Sequence, residues 1–582
     1  MKQALAELVK QALQALQQQG TLAADCPLTV RVENSKSPKH GTFSSNIALT
    51  LAGTASLPPR QLAEQIVTSL PVVSWLQKTD IAGPGFINFF LETGAQFTVI
   101  DQILDGAEYY GHNNHGKGQA VMVEFVSANP TGPLHVGHGR GAAYGDTLAR
   151  LLKATGYQVA TEYYVNDAGR QMAILALSVW LRYLELCGEL CGENGALFPP
   201  QAYQGDYVFD IAATLHRQDG DRWRQPLEPI FQNLPDNADK VLDHMIEHMR
   251  KALGEDGYRR VFKLGLDTLV ADIRDDLEQF GVHFDCWFSE RSLVDSGAIT
   301  RAIETLKTNN HLYQQDGAWW FRSTAFGDEK DRVVLRENGA HTYFAADIAY
   351  HLNKVERGFA VLIDIWGADH HGYIPRVKAS FSALGQDPQA LHLLLVQFAV
   401  LYRGREKISM STRGGSFVTL RALRHEVGND AARFFYILRK SEQHMDFDLD
   451  LAKTQSNENP VYYIQYAHAR ICSVFRQAAK QGIVPPESAD YSKLLRDNEQ
   501  SLVAILARYP EVVATAASHY EPHLIAYYLR DLATELHSYY TSCRFLKAQT
   551  EVRNARLRLL AATRQTLANG LGLLGVLALK EM

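Results

Sequence analysis

The chain has 582 residues, of which 46% are apolar and 21% charged, and its formal net charge is −6. A chain of this length is too long to fold around a single hydrophobic core, so we expect about three or four domains. The composition is that of a folded protein rather than a disordered chain. Residues 1–19 carry leucines at helical spacing among charges and glutamines, unlike a secretion signal, and no apolar run is long enough for a membrane span. We therefore expect a cytoplasmic protein with no membrane partner.

The six cysteines are scattered, and only Cys187 and Cys191 stand close together. A structural zinc site needs further ligands at tight spacing, and the neighbouring sequence offers none. We expect reduced cysteines, no bound metal, no structural zinc and no organic cofactor.

The N-terminal part, residues 1–112, mixes helix and strand patterns. Leu28–Glu33 alternates apolar and polar residues, which predicts a half-buried strand. The turn signal Gly83-Pro-Gly85 precedes a second predicted strand, Phe86–Leu91. We expect an α+β domain here.

A second unit covers residues 119–456 and begins with a βαβ pattern. Val121–Val126 predicts a buried parallel strand, Val136–Lys153 a helix, and Tyr157–Tyr164 the next strand. Open sheets of this Rossmann type bind ligands at the carboxyl ends of their strands. A helical insertion is expected at about residues 170–300, and further strands are predicted at Ala318–Thr324, Val333–Arg336, Thr342–Phe344 and Val361–Trp366.

From residue 457 to 582 the pattern is helical throughout and predicts an all-α bundle. From Val461 onward there are 14 Lys and Arg against 10 Asp and Glu, a mildly basic region on an acidic body. This balance is compatible with an RNA-binding face and equally with an ordinary solvated helical surface. The predicted helices are Val461–Lys480, Tyr491–Ala507, Pro522–Tyr540 and Val552–Leu567.

The segment His135-Val136-Gly137-His138 opens a predicted helix after a strand and a Pro/Gly loop. The first N–H groups of a helix are unpaired and its dipole is positive there, so this position suits phosphate. The two imidazoles can add donors to the α-phosphate, and Gly137 lets a flat base approach the backbone.

The run from Glu124 to Arg140, EFVSANPTGPLHVGHGR, resembles the HIGH-motif region of class I aminoacyl-tRNA synthetases, in the form found in bacterial arginyl-tRNA synthetases. The resemblance implies that ATP, accompanied by Mg²⁺, activates L-arginine to arginyl-adenylate, which is then transferred to tRNA(Arg). It implies His135 and His138 as catalytic residues, and family members generally need bound tRNA even for activation. The implied ATP-binding residues are Ala128, Asn129, Pro130, Thr131, Gly132, Pro133, Leu134, His135, Val136, Gly137, His138, Met410 and Ser411.

The family's second motif, KMSKS, corresponds to the segment KISMSTRGG at residues 407–415. Its Met and Ser are present, but serine and threonine stand where the family has its two phosphate-binding lysines. Such lysines make charge-assisted contacts with the departing pyrophosphate. Lys407, Arg405 or Arg413 could supply the missing charge, and our hypothesis assigns this catalytic role to Lys407 or Arg413.

A selective arginine site must offer acceptors to a planar guanidinium with five N–H donors. Tyr343 and Asp347 stand four residues apart, on one face if the segment is helical. The family resemblance implies that both hold the guanidinium, and that Glu124 adds a second carboxylate. The remaining residues assigned to arginine are Ser127, Asn129 and His371, with Asn129 holding the α-amino or carboxyl end. We expect His370 or His371 to contact the amino acid or adenosine. A metal site at these histidines is disfavoured.

Tyr462, Tyr466 and Arg470 interleave aromatic and basic side chains in the C-terminal bundle, as in proteins that stack unpaired RNA bases. Core packing is the alternative for each tyrosine. The bundle resembles the DALR anticodon-binding domain, whose tetrapeptide corresponds to Asp430-Ala-Ala-Arg433. Residues 1–112 resemble the N-terminal domain of arginyl enzymes, which contacts the outer corner of the tRNA.

Two other functions stay open at this point. A class I synthetase for another amino acid is disfavoured by the acidic pocket residues. A non-catalytic, RNA-binding relative would be expected to lack a motif histidine or a pocket acid, and both sets are present. Nothing demands a dimer, so a monomer is expected.

Overall fold

The computed structural model describes residues 1–35, 40–92, 94–189, 198–232, 234–408 and 418–582. Its N-terminal region packs helices against an antiparallel sheet of order β1-β2-β4-β3. The elements are α1 (Lys2–Gln18), β1 (Glu33–Asn34), β2 (Phe43–Ser45), α2 (Ile47–Ala55), α3 (Pro59–Thr68), β3 (Leu76–Ala82), β4 (Phe86–Leu91) and α4 (Thr98–Gly106).

The strand predicted at Leu28–Glu33 is wrong except for its last residue, because β1 begins at Glu33. Leu28, Val30 and Val32 nevertheless pack against the N-terminal core. The alternation therefore reports one-sided burial, which an extended segment can have without hydrogen bonding to a neighbouring strand.

The central sheet has five parallel strands, confirming the predicted fold class. Their order across the sheet is β12 (Leu391–Val396), β11 (Val361–Gly367), β5 (Ala120–Phe125), β6 (Gln158–Val165) and β7 (Cys286–Ser289). The predicted βαβ unit is present within a residue or two of its expected bounds. Its elements are β5 (Ala120–Phe125), α5 (Val136–Ala154) and β6 (Gln158–Val165). Helix α5 lies so close to the sheet that a Cβ on Gly145 would stand 2.2 Å from the Phe125 ring.

Three long helices follow and form a hydrophobic core of their own. They are α6 (Arg170–Leu186), α7 (Asp206–Asp219) and α8 (Ala238–Gln279), and α8 kinks at Gly254. The chain then returns to the central sheet as β7 (Cys286–Ser289), a strand inside the interval expected to be helical.

A three-stranded antiparallel sheet with adjoining helices comes next, in the order β10-β9-β8. The predicted strand Thr342–Phe344 is wrong, because Thr342 caps a helix through a hydrogen bond from Ala345 N at 3.4 Å. The elements are α9 (Arg291–Asp295), α10 (Ala298–Thr308), β8 (Leu312–Gln315), β9 (Ala318–Phe321), β10 (Arg332–Leu335) and α11 (Tyr343–Glu356).

The remaining elements complete the central sheet, form a further three-stranded sheet and add the C-terminal helices, which confirm the predicted helical region. They are β11 (Val361–Gly367), α12 (Ile374–Ala383), β12 (Leu391–Val396), β13 (Ala399–Arg403), β14 (Glu406–Lys407), α13 (Leu420–Val427), α14 (Asn429–Ile437), β15 (Met445–Asp448), α15 (Leu449–Lys453), α16 (Pro460–Lys480), α17 (Asp497–Ser518), α18 (His523–Ser542) and α19 (Thr550–Leu574).

One hydrophobic core runs from the central sheet through α5 into these C-terminal helices. Asp146 of α5 forms a buried ion pair with Arg433, whose Nε also donates to the carbonyl of Leu574 at 3.0 Å. The Tyr144 hydroxyl donates to the carbonyl of Tyr520 at 2.6 Å. Helix α5 is therefore held by the sheet on one side and by the bundle on the other.

Candidate active site

The loop after β5 begins with two residues in the left-handed region, Val126 at φ +68° and Ser127 at φ +39°. This conformation costs a non-glycine residue about 1–3 kcal/mol and is worst for a β-branched one. The Ser127 hydroxyl donates to Glu124 Oε1 at 2.9 Å and accepts from Tyr164 N at 3.1 Å. These bonds hold the strained loop at the carboxyl end of the sheet.

Both motif histidines are built into the start of α5. His135 Nδ1 accepts from Gly137 N at 3.1 Å, and His138 Nδ1 accepts from His135 N at 3.3 Å. The two rings stack with centroids 3.7 Å apart. Burial lowers the pKa of His135, and burial together with the neighbouring His135 lowers the pKa of His138 to about 3. Both rings are therefore neutral at pH 7 and carry their proton on Nε2.

Gly137 is required by close packing, because an added Cβ would lie 2.9 Å from the His135 ring and 3.0 Å from Phe398. Tyr207 of α7 supports the preceding loop, since its hydroxyl donates to the Thr131 carbonyl at 2.7 Å. The helical insertion thus contacts the predicted ATP-binding loop directly.

The motif also pairs with the chain that follows the second motif. Leu420 N donates to the Leu134 carbonyl at 2.8 Å, and Val136 N donates to the Val418 carbonyl at 3.2 Å. Residues 409–417, which include Met410, Ser411 and Arg413, lie outside the described residues. Lys407, at the near end of that interval, is exposed on β14.

A buried lysine lies beneath this loop. Lys354 Nζ donates to Glu124 Oε2 at 2.6 Å and to Asp364 Oδ1 at 2.7 Å, and His351 Nε2 lies 2.9 Å from Asp364 Oδ2. Burial disfavours the charged forms of these groups. For Asp364 the nearby Lys354 and His351 outweigh burial and hold its pKa at about 2. For Glu124 burial outweighs Lys354 and raises the pKa. Both Glu124 oxygens are engaged, one by Lys354 and the other by Ser127.

Two further carboxylates, Asp347 and Glu290, come together beside the same sheet edge. Neither takes part in an ion pair within the described part of the chain, and Glu290 Oε2 has no hydrogen-bond partner there. Burial and the nearby Asp347 and Asp167 raise the pKa of Glu290 to about 7. Burial also raises the pKa of Asp347, although a hydrogen bond from the Tyr373 hydroxyl opposes this shift. We refer to this pair of acids as the acidic pocket; two neighbouring acids without a cationic partner among the described residues are suited to bind a cation.

Asp167 is part of the surroundings but is already satisfied. It accepts from Ser289 Oγ at 2.5 Å and from Arg291 N at 2.9 Å. This carboxylate therefore fixes the loop carrying Glu290 and leaves the pocket's binding capacity to Glu290 and Asp347.

The other predicted arginine-site residues are exposed or bonded locally. The exposed Tyr343 accepts from Arg170 N at 3.2 Å through its hydroxyl, and exposed His371 contacts the Ala368 carbonyl through Nδ1 at 3.2 Å. Asn129 is exposed in the loop before α5. Asp347 thus belongs to the acidic pocket, whereas Glu124 belongs to the lysine network.

Glu290 was not among the residues predicted from the sequence. The residue directly follows β7, whose four residues Cys286–Ser289 lie inside the interval interpreted as a helical insertion. An acid after a short aromatic run at the end of a parallel strand was the available signal.

On α16 the predicted RNA-contacting residues form a half-buried stack. The Tyr462 and Tyr466 rings stack with centroids 5.9 Å apart. The Arg470 guanidinium lies 5.0 Å from the Tyr466 ring centroid and 4.2 Å from that of Tyr540. Such a stack can carry a planar base, and it is also a stable packing unit in its own right.

No helix in the described ranges has the length and apolarity that a bilayer crossing requires.

Comparison with known proteins assigns all three regions. The arginyl-tRNA synthetase N-terminal domain matches residues 3–91, the class I (R) catalytic domain matches residues 99–185 and 244–457, and the DALR anticodon-binding domain matches residues 464–582. Two proteins named arginine–tRNA ligase, from Thioalkalivibrio sulfidiphilus and Hydrogenovibrio crunogenus, are 57% and 54% identical, with full coverage of both chains.

The solved structure of Thermus thermophilus arginyl-tRNA synthetase has the same fold, with a TM-score of 0.73, 23% identity and complete coverage of both chains. The two full-length relatives and the three domain matches together establish the family to which the chain belongs. The chain belongs to the arginyl-tRNA synthetase family of class I aminoacyl-tRNA synthetases.

Proposed function

We propose that this chain joins L-arginine to tRNA(Arg) in two ATP-dependent steps. A carboxylate oxygen of arginine attacks the α-phosphorus, and the bond to the departing pyrophosphate breaks. The terminal ribose hydroxyl of the tRNA then attacks the arginyl carbonyl, and AMP leaves. Positioning and electrostatic stabilisation carry the rate, because no covalent enzyme intermediate is needed.

The acidic pocket is the observation that carries this proposal. Glu290 and Asp347 are two neighbouring acids whose pKa values are raised and which have no cationic partner among the described residues. A guanidinium can satisfy both through its forked donors, whereas a neutral side chain would leave them buried and repelling each other. Tyr343 borders the pocket, Asn129 and Ser127 are assigned to the α-amino and carboxyl end, and His371 stays a predicted contact.

For Glu124, the contacts favour a positioning role. Its two oxygens hold Ser127 and Lys354, so we assign it to shaping the loop rather than to contacting the guanidinium. This assignment modifies the expectation drawn from the family resemblance.

On the ATP side, His135 and His138 supply neutral Nε2–H donors to the phosphates, and the start of α5 adds backbone N–H groups. Mg²⁺ enters with ATP. Lys407 and Arg413 are assigned to the pyrophosphate in place of the missing lysines, with Met410 and Ser411 beside the adenosine. We assign tRNA binding to Tyr462, Tyr466 and Arg470. We expect the enzyme to be a monomer in the cytoplasm.

Aminoacylation of total tRNA, assayed with each of the twenty amino acids, tests the proposal. We expect charging with arginine alone, and ATP–pyrophosphate exchange only when tRNA is present. Charging with a different amino acid would refute the pocket assignment, and no charging at all would refute the enzymatic function.

A further inference from the structure

The helical insertion contains a cluster of potential metal ligands away from the residues assigned above. Cys187 follows the end of α6, His216 lies in the last turn of α7, and Asp221 lies just beyond that helix. Their sulfur, nitrogen and oxygen ligand atoms all lie within 4.8 Å of one another. In the described ranges of the chain, no other group of three such residues has this spacing.

The turn that presents Asp221 is fixed by buried side chains. The Tyr183 hydroxyl donates to the Gly220 carbonyl at 2.5 Å and accepts from Trp223 N at 3.1 Å. Asp219 accepts from Trp223 Nε1 at 2.7 Å, and Gly220 takes the positive φ of +59° that reverses the chain. The backbone of the turn that carries Asp221 is therefore fixed before any ion binds.

Its ligand chemistry favours zinc. Thiolate, imidazole and carboxylate together suit Zn²⁺, whereas Mg²⁺ and Ca²⁺ prefer oxygen ligands alone. Zinc–ligand bonds of about 2.0–2.3 Å place tetrahedral ligand atoms about 3.3–3.8 Å apart. His216 Nε2 and Asp221 Oδ1 are already 3.3 Å apart. The neighbouring cation, Arg224, is paired with Glu189 at 2.9 Å.

We propose that Cys187, His216 and Asp221 form a three-ligand Zn²⁺ site with a fourth position open to water. Binding releases the thiol proton to solvent and forms the sulfur–zinc bond. The sequence excluded such a site only because no ligand stood close to Cys187 along the chain. The fold supplies two ligands from α7 and its turn. Cys191 lies outside the described residues and is not part of the proposed site.

Bound zinc would clamp the far ends of α6 and α7 together. The opposite ends of these helices reach the active site, because Tyr207 holds the Thr131 carbonyl and Arg170 N donates to the Tyr343 hydroxyl. The proposed ion would fix the spacing of α6 and α7, takes no part in the proposed reaction, and stands independently of the proposed function.

Titration of metal-free, full-length protein with Zn²⁺, and separately with Co²⁺, tests this site. We expect one ion per chain, a thiolate-to-cobalt charge-transfer band, and a higher melting temperature with zinc. C187S, H216A and D221N should each weaken binding by about tenfold or more, and C187S should abolish the band.

Matched controls are C286S, which alters another half-buried thiol, and H248A, which alters another half-buried histidine within the insertion. Both should bind zinc like the unaltered chain, and circular dichroism verifies the fold of every variant. The proposal is overturned if no stoichiometric binding occurs, or if C187S and H216A bind as tightly as the controls.

Discussion

Replacing Glu290 with glutamine removes one carboxylate from the acidic pocket and keeps the side-chain size. Glu290 is 6% exposed, so the lost contact is a desolvated, charge-assisted one. Such a bond contributes about 1.5–3 kcal/mol, which corresponds to a rise of about 10- to 100-fold in KM for arginine. KM for ATP should change little, because the substitution leaves the ATP motif intact.

The same substitution should stabilise the substrate-free protein at alkaline pH. Burial and the neighbouring acids raise the Glu290 pKa from 4.5 to about 7, so folding favours its protonated form. That contribution is complete below pH about 4.5 and is lost as pH rises through about 7. At pH 8 the ionised group costs about 3 kcal/mol, which E290Q removes. For the unaltered enzyme, KM for arginine should fall over the same rise in pH, because the carboxylate is the binding form.

Steady-state aminoacylation with varied arginine, and urea unfolding without substrate at pH 5.5 and 8, measure both effects. D295N, which changes an exposed acid on the neighbouring helix, serves as the control and should alter neither quantity. An unchanged KM for arginine in E290Q, or a loss of stability that is greater at pH 8 than at pH 5.5, would refute the reasoning.

Three further substitutions probe the motif and its supports. H138N should lower kcat for ATP–pyrophosphate exchange by about 100- to 1000-fold with little change in KM for arginine, and near-normal kcat would contradict the donor role. K354M leaves buried carboxylates uncompensated and should cost about 3–5 kcal/mol in urea unfolding; a neutral effect would mean that the network is solvated. G145V places a side chain where a Cβ already meets the Phe125 ring at 2.2 Å and should cost about 3 kcal/mol or more by the same measurement, whereas unchanged stability would disprove close packing there.

The ATP motif and its supports were predictable because their signals are local. A buried strand, a Pro/Gly loop and a helix start occupy one continuous segment, and α5 begins at Val136 as expected. Long periodic helices such as α16 were equally clear. Asp347 was assigned to arginine through the family resemblance, and its spacing to Tyr343 indicated only that both would share one helical face. The overlapping segment Thr342–Phe344 was interpreted as a strand.

The rest of the acidic pocket depends on contacts between distant segments. Glu290 meets Asp347 only after β7 joins the central sheet, and a four-residue strand is too short to give a periodic signal. The engagement of Glu124 by Lys354 spans 230 residues, so spacing could not indicate it. Burial and pairing, which decide whether an acid is available, are properties of the fold.

The contacts around α5 bear on how separable the parts of this enzyme are. Arg433 is satisfied partly by the Leu574 carbonyl, and one continuous core joins the sheet to the last helix. A chain cut before α16 would uncover apolar surface and leave that arginine without one of its acceptors. The anticodon-binding bundle is thus not a detachable module, and exchanging it between relatives would require grafting the matching surface of α5 as well.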